Sequence, residues 1–344
     1  MARGRGAYNG SMTRLPTLLA ATAAAYLVGR ALGRKPLDLH EKVVLITGGS
    51  RGLGLVLARK LARMNARLAI VARDPDELRR AEEELADLGA RVLALTCDVA
   101  DEADVRRAVL RTVEHYGRLD VLINNAAIIS VGPLDSMIRA DYERAMDVNF
   151  WGPLHFMLAV RDTMRGQGGG SIVNISSVGG KVPVPHLLPY SASKFALTGL
   201  SSGWRAELLK DGVVVTTVHP GLMSTGSPRN VDYKGRHEQE YAWFSLADNL
   251  PGLAQTPEAA ADEIIDALRY GRAEIVTSVP AKVLATFHAL FPGQSSTLLS
   301  VMDRFLPARG GIGTQSRRGS ESETAFTRAL GTKAAAEVAH NQQP

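Results

Sequence analysis

The sequence predicts an α/β domain built on a doubly wound parallel sheet with helices on both faces. Three observations carry that expectation. Short, largely apolar runs recur at Val43–Ile46, Arg67–Val71, Val92–Thr96, Val121–Ile123, Ser171–Ile175 and Val213–Val218, with helical stretches between them. Such runs need cover on both faces, which a parallel sheet between helix layers provides. A glycine-rich turn lies directly between the first run and the first helical pattern. Right-handed crossovers then lead to a doubly wound sandwich.

Taken in order, residues 1–36 stand apart from the rest of the chain. Arg3, Arg5 and Arg14 precede an uncharged stretch, Leu15–Gly29, rich in Ala and Leu and closed by Arg30, Arg34 and Lys35. As a helix those residues would span about 22 Å, short of a hydrocarbon core of roughly 30 Å. Basic flanks on both sides favour a membrane-associating or anchoring helix over residues 13–33 and leave its orientation unread. A signal peptide and a helix docked on protein are the competing readings. The main domain is expected over residues 37–308. Helical periodicity runs through Leu53–Met64, a charged helix through Pro75–Leu88, and Thr256-Pro257-Glu258 reads as a helix start with Thr256 as N-cap. Ala273–Val279 is the candidate last strand. Residues 309–344 are Ser-, Arg- and Glu-rich and are expected to be a disordered tail, with a weak helix over Ala325–Val338 as the alternative.

Composition removes several classes. The single Cys97 rules out an intramolecular disulfide and metal sites built on several cysteines, and it fits a reducing compartment. No metal site is expected. The net charge of +5 is spread thinly, without a long Lys/Arg block, so nucleic acid is not an expected partner.

The chemistry concentrates at two places. Thr47-Gly48-Gly49-Ser50-Arg51-Gly52-Leu53-Gly54 closes the first strand and opens the first helix. Glycines there permit a tight turn and close backbone approach to a pyrophosphate, which the helix N-terminus then attracts. The spacing differs from Gly-x-Gly-x-x-Gly. The second strand ends at Ala72-Arg73-Asp74, where an acid would bond the ribose diol of NAD. Ala72 takes that place, and Arg51 with Arg73 suits a 2′-phosphate, so NADP(H) is expected over NAD(H). The counter-reading makes Asp74 the ribose ligand and leaves both arginines solvated. At the second place, Tyr190 and Lys194 lie four residues apart, hence on one helical face. An ammonium near a phenol should pull its pKa down toward the working range. Ser177 follows an apolar strand and is placed to hydrogen-bond a substrate oxygen, or merely to cap a turn. Asn149 is a candidate for holding a water behind Lys194, or a helix-interior amide bonding backbone.

Together these motifs resemble the short-chain dehydrogenase/reductase family, in its single-domain Rossmann-fold form, from about Lys42 to Val279. Thr47–Gly54 is similar to the family's cofactor loop, which implies cofactor contacts from Gly48, Ser50, Arg51, Gly52, Leu53 and Gly54, with Arg73 again implying NADP. Cys97-Asp98-Val99 resembles the adenine-pocket segment and implies contacts from Asp98 and Val99. Asn124-Asn125-Ala126-Ala127 resembles the family's NNAG, with Ala127 in place of glycine, and brings in Asn125 and Ala126. Asn149, Ser177, Tyr190 and Lys194 match the catalytic tetrad in order and spacing, and Tyr190 and Lys194 are also implied in cofactor binding. His219-Pro220-Gly221 through Thr225 resembles the segment that cradles the nicotinamide, implying Pro220, Gly221 and Thr225.

The resemblance implies an enzyme that interconverts a carbonyl and an alcohol, with Tyr190 as general acid/base, and a homodimer or homotetramer through the helices carrying Asn149 and Tyr190. Residues 222–256 are expected to form a substrate lid in which Tyr241, Trp243, Phe244 and Leu246 line an apolar pocket or pack on their own core. A small lipophilic ketone suits a site on the cytoplasmic side, near a membrane. His186 and His219 read as solvated or core histidines. The rival readings are a non-catalytic NADP-binding sensor or scaffold, an epimerase or dehydratase of the same fold, and a membrane-tethering protein.

Overall fold

Every residue of Val43–Thr47 is buried, as a central strand between two helix layers requires. In the computed structural model, which describes residues 35–249, 252–325, 327 and 341, this segment is β1. It is followed by β2 (Arg67–Ala72), β3 (Val92–Thr96), β4 (Val121–Asn124), the short β5 (Ser130–Val131), β6 (Gly170–Ile175), β7 (Val213–His219), the short β8 (Asp232–Tyr233), β9 (Glu274–Val276) and the short β10 (Arg317–Arg318). Seven of these form one sheet in the order β3-β2-β1-β4-β6-β7-β9, and every neighbouring pair is parallel. The doubly wound sheet expected from the sequence is therefore present. Its order reverses between β1 and β4, which opens a crevice at the carboxyl ends of those strands.

The helices are α1 (Gly52–Arg63), α2 (Pro75–Asp87), α3 (Glu102–Tyr116), α4 (Arg139–Met146), α5 (Gly152–Gly166), α6 (Leu188–Leu208), α7 (His237–Asn249), α8 (Pro257–Tyr270), α9 (Val279–Leu290), α10 (Pro292–Asp303) and the single turn α11 (Gly319–Ser322). Side chains alternate across the sheet. Val43, Leu45, Ala69, Val71, Leu122 and Val215 point to one face, where they pack on Val105 and Val109 of α3 and Phe156 and Val160 of α5. Their neighbours Val44, Ile46, Leu68 and Ile70, also fully buried, point to the other face. Thr256 caps α8 as expected, accepting from the Ala259 amide at 3.2 Å. The last strand is shorter than Ala273–Val279, because Ser278 turns to φ 65° and caps α9 instead.

Two expectations at the chain ends meet different outcomes. The membrane-associating helix of residues 13–33 lies outside the described residues. Among the described residues no helix is long and apolar enough to cross a membrane. The disorder expected from residue 309 is corrected over residues 310–325. There β10 pairs antiparallel with β8, and the Gly319 amide donates to Val231 at 2.9 Å. Backbone pairing to a short buried strand, not apolar periodicity, orders this segment, so a search for periodicity misses it.

Candidate active site

The glycine loop is built for close approach. Gly48 turns at φ 64°, and a Cβ on Gly54 would stand 2.0 Å from the Gly48 carbonyl oxygen. Asn125 clamps the loop from β4: its Nδ2 donates to the carbonyls of Thr47 (3.0 Å) and Gly48 (3.2 Å), while the Asn125 and Ala126 amides donate to Thr47 Oγ1. The amino end of α1 carries no acidic residue in its first turn. This cradle fits the pyrophosphate of a dinucleotide: backbone is close, side chains are excluded, and the helix end favours an anion.

The flanking charges are arranged less simply than the sequence implied. Ser50 Oγ and Arg51 both bond Glu77 on α2, at 3.1 and 2.9 Å, and Arg51 also reaches Asn230 at 3.1 Å. Asp74 caps α2, accepting from the Asp76 and Glu77 amides at 2.9 Å, and these amides lower its pKa. Arg73 is exposed beside it. The Asp98 carboxylate accepts from the Ala100 amide at 3.0 Å, and Val99 is buried within the core facing α3 and α5. The Gly52 amide donates to the Asn341 carbonyl at 2.9 Å, and Arg59 donates to the Asn341 side chain at 2.7 Å. Neither Glu77 nor Asn341 was singled out from the sequence, because neither belongs to a local motif.

The catalytic candidates converge at the carboxyl end of β6. Ser177 starts a tight turn there, and its Oγ accepts from the Gly179 amide at 3.0 Å. Tyr190 and Ser177 lie side by side, and the Ser177 hydroxyl acts on the phenol to lower its pKa. Gly179 lies beneath the pair: a Cβ on it would meet Tyr190 Cε1 at 3.3 Å and Ser177 Oγ at 3.4 Å. Lys194, one turn along α6, is buried with its Nζ 5.8 Å from the Tyr190 ring centroid, and it donates to the Ile175 carbonyl at 2.8 Å. The expected acidic phenol is not what this environment produces. Burial raises Tyr190 to about 12 against the opposing Ser177 hydrogen bond, and burial lowers Lys194 to about 7. Desolvation penalises both charged forms, and here it outweighs the help each would give the other.

Asn149 sits in a π-helical turn, Asp147–Trp151, fully buried. Its side chain accepts from the Ile128 amide (2.9 Å) and donates to the Ile128 carbonyl and to Ser193 Oγ (both 3.0 Å). The amide thus ties the segment after β4 to α6, the helix that carries Tyr190, as the backbone-bonding reading anticipated. After β7, the Pro220 carbonyl accepts from the Val178 amide at 2.8 Å, which holds the Ser177 turn. A Cβ on Gly221 would meet Ser278 Oγ at 2.6 Å, and the Thr225 hydroxyl accepts from the Ser227 amide at 3.2 Å. His219 is a core histidine, as expected. Its Nδ1–H donates to the Ser177 carbonyl at 3.0 Å, and the imidazole and Lys181 hold the nearby Glu274 carboxyl down at about 2.

The segment 222–256 is pinned at its base, where Gln255 donates to Leu222 and Ser224 donates to Gln255. Tyr241 and Phe244 pack edge-on around the fully buried Tyr233, with ring centroids 5.5 and 6.2 Å away, while Leu246 is exposed. These residues therefore form a small core of their own. His186 is buried too, bonding Glu240 at 2.8 Å, and Trp243 bonds the same carboxylate at 2.6 Å. Asp248 of α7 went unnoticed in the sequence. It is buried, burial raises it to about 8, and its charge acts on Tyr190 and Tyr233.

Comparison with known proteins agrees with this geometry. Residues 42–234 match the family model of the short chain dehydrogenases. An uncharacterized oxidoreductase of Bacillus subtilis, YxnA, is 32% identical over 264 residues, which cover 76% of this chain and 72% of YxnA. Among solved structures, a short-chain dehydrogenase from Streptomyces avermitilis superposes with a TM-score of 0.66 at 25% identity, over 78% of this chain and 99% of that one. A short-chain dehydrogenase/reductase from Burkholderia phymatum, solved in complex with NAD, shares the fold with a TM-score of 0.67 at 23% identity, over 74% of this chain and 95% of its own. A Rossmann sheet, a glycine cradle for a nicotinamide dinucleotide and a family match over most of the domain lead to one conclusion: this chain is an oxidoreductase of the short-chain dehydrogenase/reductase family.

Proposed function

We propose that this enzyme is an NADP(H)-dependent reductase that converts a lipophilic ketone to a secondary alcohol, with Tyr190 as the proton donor. One observation carries the reading: the Tyr190 ring and the Ser177 hydroxyl come together against Gly179, past the carboxyl end of β6, with the buried Lys194 Nζ 5.8 Å from the centre of the same ring. When bound, the nicotinamide supplies the hydride. Gly48, Gly52, Leu53 and Gly54 would hold its pyrophosphate, Asp98 and Val99 its adenine, and Pro220, Gly221 and Thr225 its carboxamide, while Lys194 would reach its ribose. The residues of the chain do the rest. Ser177 donates a hydrogen bond to the substrate oxygen, where negative charge builds up. Tyr190, fully protonated at neutral pH because burial holds it near 12, gives that oxygen its proton. Lys194 stabilises the phenolate left behind and is charged below about pH 7. Asn149 fixes the backbone behind the site and, through Ser193, the start of α6.

The preference for NADP(H) rests on Arg51 and Arg73. The use of Asp74 as a helix cap supports it, because that carboxylate is the natural competitor for a ribose diol. A lipophilic substrate would also suit an enzyme whose uncharged segment Leu15–Gly29 associates with a membrane on the cytoplasmic side. A homodimer or homotetramer through α4–α6 belongs to the same reading.

The test is NADPH oxidation by the full chain across a panel of ketones. Tyr190→Phe should lower kcat by about 10²–10⁴ while NADPH still quenches protein fluorescence with unchanged affinity. A variant retaining near wild-type kcat removes Tyr190 from the role. In parallel, Arg73→Asp should weaken NADPH relative to NADH by about ten- to a hundredfold, the worth of one charge-assisted hydrogen bond. An unchanged ratio would return the preference to NAD(H).

A further inference from the structure

The helical hairpin α9–α10 is covered on very little of its surface. Between Val279 and Phe305 only Ala281, Ala285 and Ser295 are buried. His288 Nδ1 and Ser295 Oγ, 2.8 Å apart, join the two helices, and Phe287 packs on Phe291 at 5.5 Å. What the hairpin shows to solvent is apolar and periodic. Along α9, Val279 (70% exposed), Val283 (64%) and Leu290 (66%) fall at i, i+4 and i+11, one helical face, which Phe291 continues. Along α10 and its exit, Leu298, Val301, Met302 and Phe305 fall at i, i+3, i+4 and i+7, with Phe305 84% exposed. Such a surface on a soluble face asks for a partner.

We infer that the α9–α10 hairpin is a membrane-docking surface, which lays its apolar stripes into the interfacial region of an anionic bilayer. Charge on the hairpin points that way. Its single acid, Asp303, turns back toward His186, 3.6 Å away, while Arg304 stands exposed beside the stripes; Lys282 and the nearby Arg309 are also exposed, each in a solvent-facing ion pair, with Glu263 and Asp135 respectively, both at 3.4 Å. Basic residues beside exposed Phe, Leu and Val describe an in-plane amphipathic element, which gains from apolar burial and from anionic headgroups together. The chain also carries a second candidate lipid contact, Leu15–Gly29 with arginines on both flanks. One weak anchor gives only marginal, reversible attachment, and two give stable attachment. A second copy of the chain is a poorer occupant. Trp151, Leu158 and Phe195 are exposed on the α5–α6 side, where the family resemblance places self-association, so the hairpin is not needed for that contact.

The test labels the hairpin itself, so binding by the N-terminal segment cannot imitate the result. Cys97 is the chain's only cysteine and is fully buried, so Phe305→Cys in the full chain takes an environment-sensitive fluorophore at one place. With phosphatidylcholine–phosphatidylglycerol vesicles, its emission should shift to the blue and rise about threefold as it enters the acyl boundary. The same label at exposed Arg111→Cys on α3 should not respond. A paired Val283→Glu, Phe305→Glu variant should pellet with these vesicles about tenfold less well than the parent, with NADPH binding unchanged. Three results overturn the inference. The protein fails to pellet with vesicles, or it pellets while the Phe305→Cys label stays unchanged. Alternatively, the label is already shifted to the blue without lipid, which assigns the hairpin to a second copy if dilution reverses the shift and to the chain's own N-terminal segment if it does not.

Discussion

Two buried ionisable groups on the substrate side of the fold have their pKa values moved in opposite directions, and both movements come from loss of water. Lys194 falls to about 7 and Asp248 rises to about 8. For Asp248 the stability consequence has a definite sign. Unfolded, the carboxyl loses its proton near 3.9; folded, it keeps the proton until about pH 8. The unfolded chain therefore binds fewer protons between those values, and stability declines as pH rises through the window. Asp248→Asn removes the ionisation. It should raise the melting temperature by several degrees at about pH 9 and leave it nearly unchanged at about pH 4, which a pair of thermal melts would read. A constant difference across pH would mean that Asp248 is already ionised in the native state.

At the scale of elements, the segment 222–256 is fastened by a few polar ties. Lys234, just after β8, forms a buried ion pair with Asp141 of α4 at 2.6 Å, and Asp141 also accepts from the Ile138 amide at 2.8 Å to start that helix. Removing one partner of a buried pair leaves the other charge unpaired in low dielectric. Lys234→Ala should therefore cost about 3–5 kcal/mol, seen as a lower midpoint in urea. A loss under about 1 kcal/mol would class the pair with exposed salt bridges. The His186–Glu240–Trp243 cluster does similar work, joining the turn before α6 to α7. None of these ties was legible in the sequence, since the partners lie far apart along the chain and no period links them. The first six strands of the seven-stranded sheet, by contrast, were placed within one residue of their ends, because burial on both faces writes itself directly into composition.

Over the whole molecule, residues 310–325 are a structural part of the domain rather than an appendage. Beyond the β8–β10 pairing, Ser322 meets His237 of α7 at 3.0 Å, and Asn341 meets Gly52 at the head of α1. A chain ending at residue 309 loses the antiparallel partner of β8 together with these contacts. It should melt at a temperature lower by several degrees, which calorimetry would measure. Full retention of stability would return the segment to the role of a passive tail.

What the sequence determined by itself was whatever has a local signature. Apolar runs flanked by helical periods specify the doubly wound sheet, and Thr47–Gly54, Ser177, Tyr190 and Lys194 mark their positions through spacing and neighbours. The tertiary structure decided what depends on distance and on water. It paired Arg51 with Glu77, spent Asp74 on a helix cap, buried Lys194 deeply enough to weaken its charge, buried Asp248 and left the apolar stripes of α9–α10 exposed. Periodicity reports which side of an element is apolar. Only packing reports what lies against that side, and the solvent it excludes sets the proton affinities on which the chemistry runs.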